Sequence, residues 1–203
     1  MNRCAFLAAL LLLCFSMIGW GESWEDIRKE SAKVSSISAD FTQTKHMKIL
    51  TKPLISKGRF YFQAPDSVRW EYAAPVKSIL LMSRHGIKRY TQGSRGLVED
   101  GSASTASMQV VLKEISRWSS GRFTENEFFA ATIQRGKEPK IVLIPKEKGM
   151  SEMISRIAIT LSSDRPGLLK SVKIEEGVGN YTFFVFSNVQ MNDKISESLF
   201  QTP

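Results

Sequence analysis

From Ile37 to Val98 apolar and polar residues alternate, the period of strands whose side chains point to opposite faces of a sheet. Over Lys57–Gln63, Gly58, Phe60 and Phe62 share one face while Arg59, Tyr61 and Gln63 share the other. Over Ser67–Tyr72, Val68, Trp70 and Tyr72 alternate with Ser67, Arg69 and Glu71. Ala64-Pro65-Asp66 separates these two runs and reads as a tight turn. Further strands are expected at Ser78–Ser83 and Ile87–Thr91, with a turn at Arg84-His85-Gly86. After residue 121 strands are expected at Glu127–Gln134, Lys140–Pro145, Arg156–Ser162, Leu168–Glu175 and Tyr181–Met191. Short strands joined by hairpins make an antiparallel sheet.

Two segments have the helical period instead. Ser23-Trp24-Glu25-Asp26 fits a capping box, in which a hydroxyl accepts from free backbone N–H groups and acids face the positive helix end. Trp24, Ile27, Ser31 and Val34 follow on one stripe, and Ser35-Ser36 ends it. A second helix is expected from Ser104 or Thr105, with Met108, Val111, Leu112, Ile115 and Trp118 on one face and Gly121 as its stop. The expected fold class is mainly β with helices (α+β).

Two strands break the alternation. Ile141-Val142-Leu143-Ile144 and Phe183-Phe184-Val185-Phe186 are apolar at every position. A strand with one wet face alternates, so these are expected to be covered on both faces or to look into an apolar space. With only two helices, a sheet curled around a cavity with helices over its mouth satisfies the pattern. Sandwiching by helix and loops satisfies it too.

The N-terminus is of another kind. Arg3 is followed by a 14-residue apolar run from Ala5 to Ile18, then Gly19-Trp20-Gly21. A basic start, a short apolar middle and a small-x-small exit predict a signal peptide over residues 1–21, cleaved after Gly21, with a mature domain of residues 22–203. The run is too short for a membrane span. Cys14 follows Leu11-Leu12-Leu13, where a lipoprotein signal needs a small residue. The leader holds both cysteines, so disulfides, thiol catalysis and cysteine-ligated metals are not expected in the mature chain. It holds one basic residue and no acid, which leaves 27 basic against 20 acidic residues, a charge of +7. The basic residues are scattered among acids, unlike a nucleic-acid footprint, whereas an anionic membrane surface or an acidic partner remains compatible.

The chain shows little that could catalyse. Its two histidines, His46 and His85, are far apart and expected at the surface. H-E-x-x-H, G-x-S-x-G and phosphate-binding glycine loops are absent from the sequence. Asp40, Glu71 and Glu175 alternate with apolar neighbours and are expected to face solvent. No catalytic residue, metal site or cofactor is therefore expected. The conspicuous features are apolar: Phe60, Phe62, Val68, Trp70 and Tyr72 on adjacent strands, and Met108, Val111, Leu112 and Ile115 on one helix.

Several segments resemble the LolA family of periplasmic carriers. Val34-Ser35-Ser36-Ile37-Ser38-Ala39-Asp40-Phe41-Thr42-Gln43 is similar to that family's opening, where a helix gives way to a strand ending in F-x-Q. Gly58-Arg59-Phe60-Tyr61-Phe62, then Pro65, Arg69-Trp70-Glu71-Tyr72 and Pro75 resemble its central signature. Phe186-Ser187-Asn188-Val189, Leu199-Phe200 and Pro203 resemble its C-terminal strand and exit. Residues 95–135 match weakly. The resemblance implies a curved, unclosed antiparallel β half-barrel with a helical lid over a hydrophobic cavity. It implies a monomeric periplasmic protein that carries lipoprotein acyl chains, or another lipid, from an inner-membrane donor complex toward an outer-membrane acceptor. Phe60, Phe62, Val68, Trp70, Tyr72, Met108, Val111, Leu112 and Ile115 would then line the ligand site. An envelope sensor or interaction module on the same half-barrel is the alternative. Two departures stand out: Ala64 occupies the place of the family's lid-latching Arg before the signature proline, and Pro203 closely follows the last motif where the family often continues.

Overall fold

The computed structural model describes residues 23–84, 86–100, 106–124, 127–165 and 167–203, the side chains of 106–111 excepted. The expected leader and His85 lie outside the described residues. A helix α1 (Trp24–Ser31) leads into strands β1 (Ser36–His46), β2 (Leu54–Gln63), β3 (Ser67–Ala74), β4 (Ser78–Ser83), β5 (Gly86–Gly93) and β6 (Gly96–Glu99). Helix α2 (Ala106–Ser119) follows, then β7 (Phe129–Gln134), β8 (Lys140–Pro145), helix α3 (Lys148–Met153), β9 (Arg156–Leu161), β10 (Leu169–Glu175) and β11 (Tyr181–Met191). The chain ends on a 3-10 turn, Glu197–Phe200.

All eleven strands form one sheet, ordered β6-β5-β4-β3-β2-β1-β11-β10-β9-β8-β7. Described neighbours pair antiparallel, and β6 and β7 remain as unpaired edges, so the sheet is unclosed. Hairpins and short connections link strands that are consecutive in the chain; the exception is β1 with β11, which joins the two ends of the chain at the centre of the sheet. Asn188 sits at a register shift in that pairing with φ 52°, and its Nδ2 donates to Asp40 Oδ2 at 2.8 Å. A short polar side chain tolerates that left-handed backbone better than a branched one.

Helix α1 has the expected capping box. Asp26 N donates to Ser23 Oγ at 3.2 Å, and Ser23 N donates to Asp26 Oδ2 at 3.0 Å. Ser23 N, and Ser23 Oγ at 2.8 Å, donate to the Asp26 carboxyl and hold it below its ordinary value. The helix ends at Ser31, earlier than the stripe through Val34 suggested. Gly121 stops α2 with φ 70°, and a Cβ there would lie 2.8 Å from Ser31 Cβ, so its absence also lets α2 end against α1.

Gly58 has a different role. The β2–β3 register shifts between Lys57 and Gly58, and a Cβ on Gly58 would lie 1.9 Å from Glu71 O and 2.7 Å from the Phe41 ring. Only a residue without a side chain lets the aromatic ring cross the backbone here.

The doubly apolar strands behave differently from each other. In β11, Phe184 and Phe186 are buried on the inner face while Val185 is 40% exposed, so this strand has one wet face after all. In β8, Ile141, Val142 and Leu143 are buried but Ile144 is exposed. Over Ile141–Leu143 β8 is thus covered on both faces as expected, and β4 is covered on both faces along nearly its whole length. Leu80 and Met82 join the main core, whereas Ile79 and Leu81 form a second cluster with Tyr90 on the outer face. The C-terminal 3-10 turn packs on β3 and β4 at that face, with Phe200 buried. Coverage thus comes from a segment more than 100 residues away, which no local period reports.

Candidate functional site

The inner face carries a sheet of aromatic rings centred on Trp70. Its ring centroid lies 4.6 Å from Phe41, 5.1 Å from Phe184, 5.5 Å from Phe60 and 6.1 Å from Phe186. Strand alternation produces this grouping. Phe60↔Trp70 and Phe62↔Val68 are direct cross-strand pairs in β2–β3, and Phe41↔Phe186 is one in β1–β11. Tilted and edge-on ring pairs add to burial by about 0.5–1.5 kcal/mol each.

The structure brings Phe60, Phe62, Val68 and Trp70 together, all at or below 2% exposure. Leu112 and Ile115 of α2 are buried in the same cluster, together with Trp118. Tyr72 packs at its margin, and its hydroxyl donates to Gln43 Oε1 at 2.6 Å. Burial pushes that hydroxyl up to about 12, against smaller opposing pulls from Trp70 and from the Arg89 charge. Met108 and Val111 lie on α2, but their side chains are outside the described residues. Sequence reasoning missed Phe41, Phe184, Phe186 and Trp118. Phe41, Phe184 and Phe186 had a signal, since each alternates into the inner face, but only the β1–β11 pairing joins strands 140 residues apart.

Among the described residues, the rings and the α2 side chains pack closely. The pocket between Ile37, Phe60, Leu168, Leu169, Phe186 and Val189 holds about 10 Å³, roughly the least that admits one water molecule. A larger crevice of about 340 Å³ runs beside α2, lined by Asp66, Met82, Ile87, Lys113, Arg117 and Arg122 among others. Met82 and Ile87 also belong to or pack on the core, so this crevice touches the apolar cluster. The tie seen between the end of α2 and the neighbouring β2–β3 turn is weak: Ser120 Oγ donates to Pro65 O at 3.4 Å. Ala64, beside it, is exposed and carries no side-chain donor.

Asp40 is in an exposed ion pair, whereas Glu71, expected to face solvent, is partly buried against Arg69. Asp40 lies 3.5 Å from Arg59, and Glu71 lies 3.0 Å from Arg69 Nε. His46 stacks on Tyr181 with centroids 5.1 Å apart. Among the described residues no cluster of His, Cys, Asp and Glu could hold a metal ion.

The profile of the family described as "Outer membrane lipoprotein carrier protein LolA" matches residues 32–203, and the chain belongs to that family. It is similar to an outer-membrane lipoprotein carrier protein of Methylococcus capsulatus, 25% identical over 97% of this chain and 91% of the relative. It is also similar to one of Nitrosomonas europaea, 20% identical over 99% of this chain and 94% of the relative. Among solved structures, a LolA superfamily protein from Nitrosomonas europaea aligns at TM-score 0.46 and 8% identity, covering 88% of this chain and 97% of that one. A DUF1329 family protein from Desulfovibrio piger aligns at 0.48 and 10%, covering 87% and 95%. The relatives matched by sequence are named as carriers, and the fold is of the carrier type; no catalytic family is indicated.

Proposed function

We propose that the protein is a periplasmic carrier. It would hold the acyl chains of lipoproteins, or of another lipid, between the inner sheet face and α2, and move them from the inner toward the outer membrane. The observation that carries this reading is the aromatic cluster around Trp70, capped by Leu112 and Ile115 of a helix with a weak polar tie to the neighbouring β2–β3 turn. The structure is read as the unloaded, closed form. Leu112, Ile115 and the rings fill one another's space, and an acyl chain would replace α2 as their partner. The exchange is feasible because both partners are apolar and apolar contact has no fixed geometry. Burying an acyl chain releases about 0.8 kcal/mol per methylene, so a chain of ordinary length repays the lost helix contacts. Phe60, Phe62, Val68, Trp70, Tyr72, Leu112 and Ile115 would line the opened space, with Met108 and Val111 on the same helix. The charge of the exported form and its leader are consistent with work in the envelope.

The decisive experiment is mass spectrometry of the organic extract of the exported protein, paired with titration by an apolar fluorescent probe. Bound lipid, or probe binding that added lipid displaces, supports the reading. Neither lipid nor probe bound would show that the inner face is a permanently packed core.

A further inference from the structure

Most of the exposed large apolar side chains described lie toward one end of the sheet, among them Ile49, Leu50, Leu54, Ile55, Val76, Met153 and Val178. The antiparallel order puts the β1–β2, β3–β4 and β10–β11 turns at this end, as the pairs Lys45↔Leu54, Lys57↔Ala74 and His46↔Tyr181 show. Helix α3 joins them ahead of β9, since Arg156 pairs with Glu175. The opposite end holds the Pro65 turn and the C-terminal end of α2. The inner-face site needs none of these exposed groups.

The two central turns form one surface. Lys48 N donates to Asn180 Oδ1 at 2.8 Å, and Gly179 lies against the Lys48 stem. Ile49 and Val178 stand out from it at 83% and 88% exposure. Basic residues flank Ile49, while Glu175 and Glu176, just before Val178, are paired with Lys173 and Lys45. Residues 44–57 contain Lys45, Lys48, Lys52 and Lys57 and no acid. Lys45 pairs with Glu176 at 3.2 Å, whereas Lys48, Lys52 and Lys57 are exposed and make no ion pair among the described residues.

We infer that this rim docks the protein on an anionic phospholipid bilayer, with Ile49 and Val178 entering between headgroups and Lys48, Lys52 and Lys57 meeting lipid phosphates. The apolar groups sit on separate turns spread along the rim. Strands spaced about 4.8 Å apart make that an arc on the order of 30 Å from the β3–β4 turn to α3. A row of tips with lysines between them suits a broad fluid interface, where apolar insertion and attraction to anionic lipid act together. No described helix is long and apolar enough to cross a membrane, so the contact would be peripheral. The surface is separate from the inner face: rim substitutions should leave probe binding unchanged, so this inference and the carrier reading fail independently.

The test is flotation of the exported protein, its N-terminus checked by intact mass, with vesicles of phosphatidylethanolamine and phosphatidylglycerol or of phosphatidylcholine alone. Wild type should float with the anionic vesicles and be released as salt rises. Ile49→Asp with Val178→Asp should lower the bound fraction at least about tenfold, and Ile49→Ser with Val178→Ser serves if the charged pair disturbs folding. Lys48→Glu with Lys52→Glu should remove the preference for anionic lipid. Val185→Asp, exposed at mid-strand in β11 and away from this end, should change nothing. The inference is overturned if wild type ignores anionic vesicles or floats equally with phosphatidylcholine. It is also overturned if the rim variants float like wild type, or if Val185→Asp weakens flotation as much as they do.

Discussion

Arg69 Nη1 donates to the carbonyl of Thr202 at 2.7 Å and to that of Leu199 at 3.0 Å. The guanidinium is 7% exposed and its Nε contacts Glu71 at 3.0 Å. A residue that alternation assigns to the wet side of β3 is thus buried beneath the C-terminal turn. The turn gains a charge-assisted anchor, and Ile79, Leu81 and Tyr90 lie on the face it covers.

Arg69→Ala should therefore destabilise the protein by about 3 kcal/mol, because Glu71 and two carbonyls lose their donor in a partly dry site. Removing residues 197–203 should cost a similar amount, and combining the two changes should cost less than their sum. Urea unfolding of the three variants measures this, and strict additivity would show that the contact is incidental.

Gly58→Ala should be among the most damaging small substitutions. The added Cβ would overlap Glu71 O, and the backbone of β3 has little room to retreat. A loss of about 3 kcal/mol, at the upper end for overpacking, is expected in the same unfolding assay.

Trp70→Glu tests the inner face. A carboxylate among five rings should weaken binding of an apolar probe by about 2 kcal/mol or more, roughly a thirtyfold rise in Kd. If α2 lifts as proposed, water can reach the charge and the protein remains folded by circular dichroism. Outright unfolding would place Trp70 in a core that never opens.

Tyr72 links stability to pH. Its hydroxyl is held protonated up to about 12 in the folded chain and would ionise near 10 when unfolded. Between those values the folded state binds more protons, so stability falls as pH rises from about 10 to 12, by about 2–3 kcal/mol in all. The contribution is complete below about pH 10. Tyr72→Phe should flatten this part of the stability profile relative to wild type, which unfolding at stepped alkaline pH will show.

Ala64→Arg addresses the lid. An arginine beside Pro65 could donate to backbone groups near the end of α2, where a 3.4 Å contact from Ser120 now stands. A charge-assisted bond contributes about 1.5 kcal/mol or more, enough to slow probe uptake about tenfold. Stopped-flow fluorescence measures the rate, and unchanged uptake would show that α2 is not the gate.

Much of the architecture was legible because period and punctuation are local. Alternation marked β10 nearly to its ends and β2 and β3 apart from Leu54–Ser56 and Ala73–Ala74, the capping box marked α1, and Gly121 marked the end of α2, each through backbone rules that act within a few residues. The same alternation put Phe60, Phe62, Val68 and Trp70 on one face. Other features depended on which distant segments meet. Phe184 and Phe186 join the cluster only through the β1–β11 pairing, which closes the chain's two ends onto each other. Val185 and Ile144 stay exposed while Ile79 and Leu81 are buried with Tyr90, a difference on the outer face that the strand period does not report. Arg69 shows the reason most directly. Its place in the strand period says only which face it points to, whereas its burial depends on Leu199 and Thr202, some 130 residues later, supplying the oxygens that make a buried guanidinium tolerable.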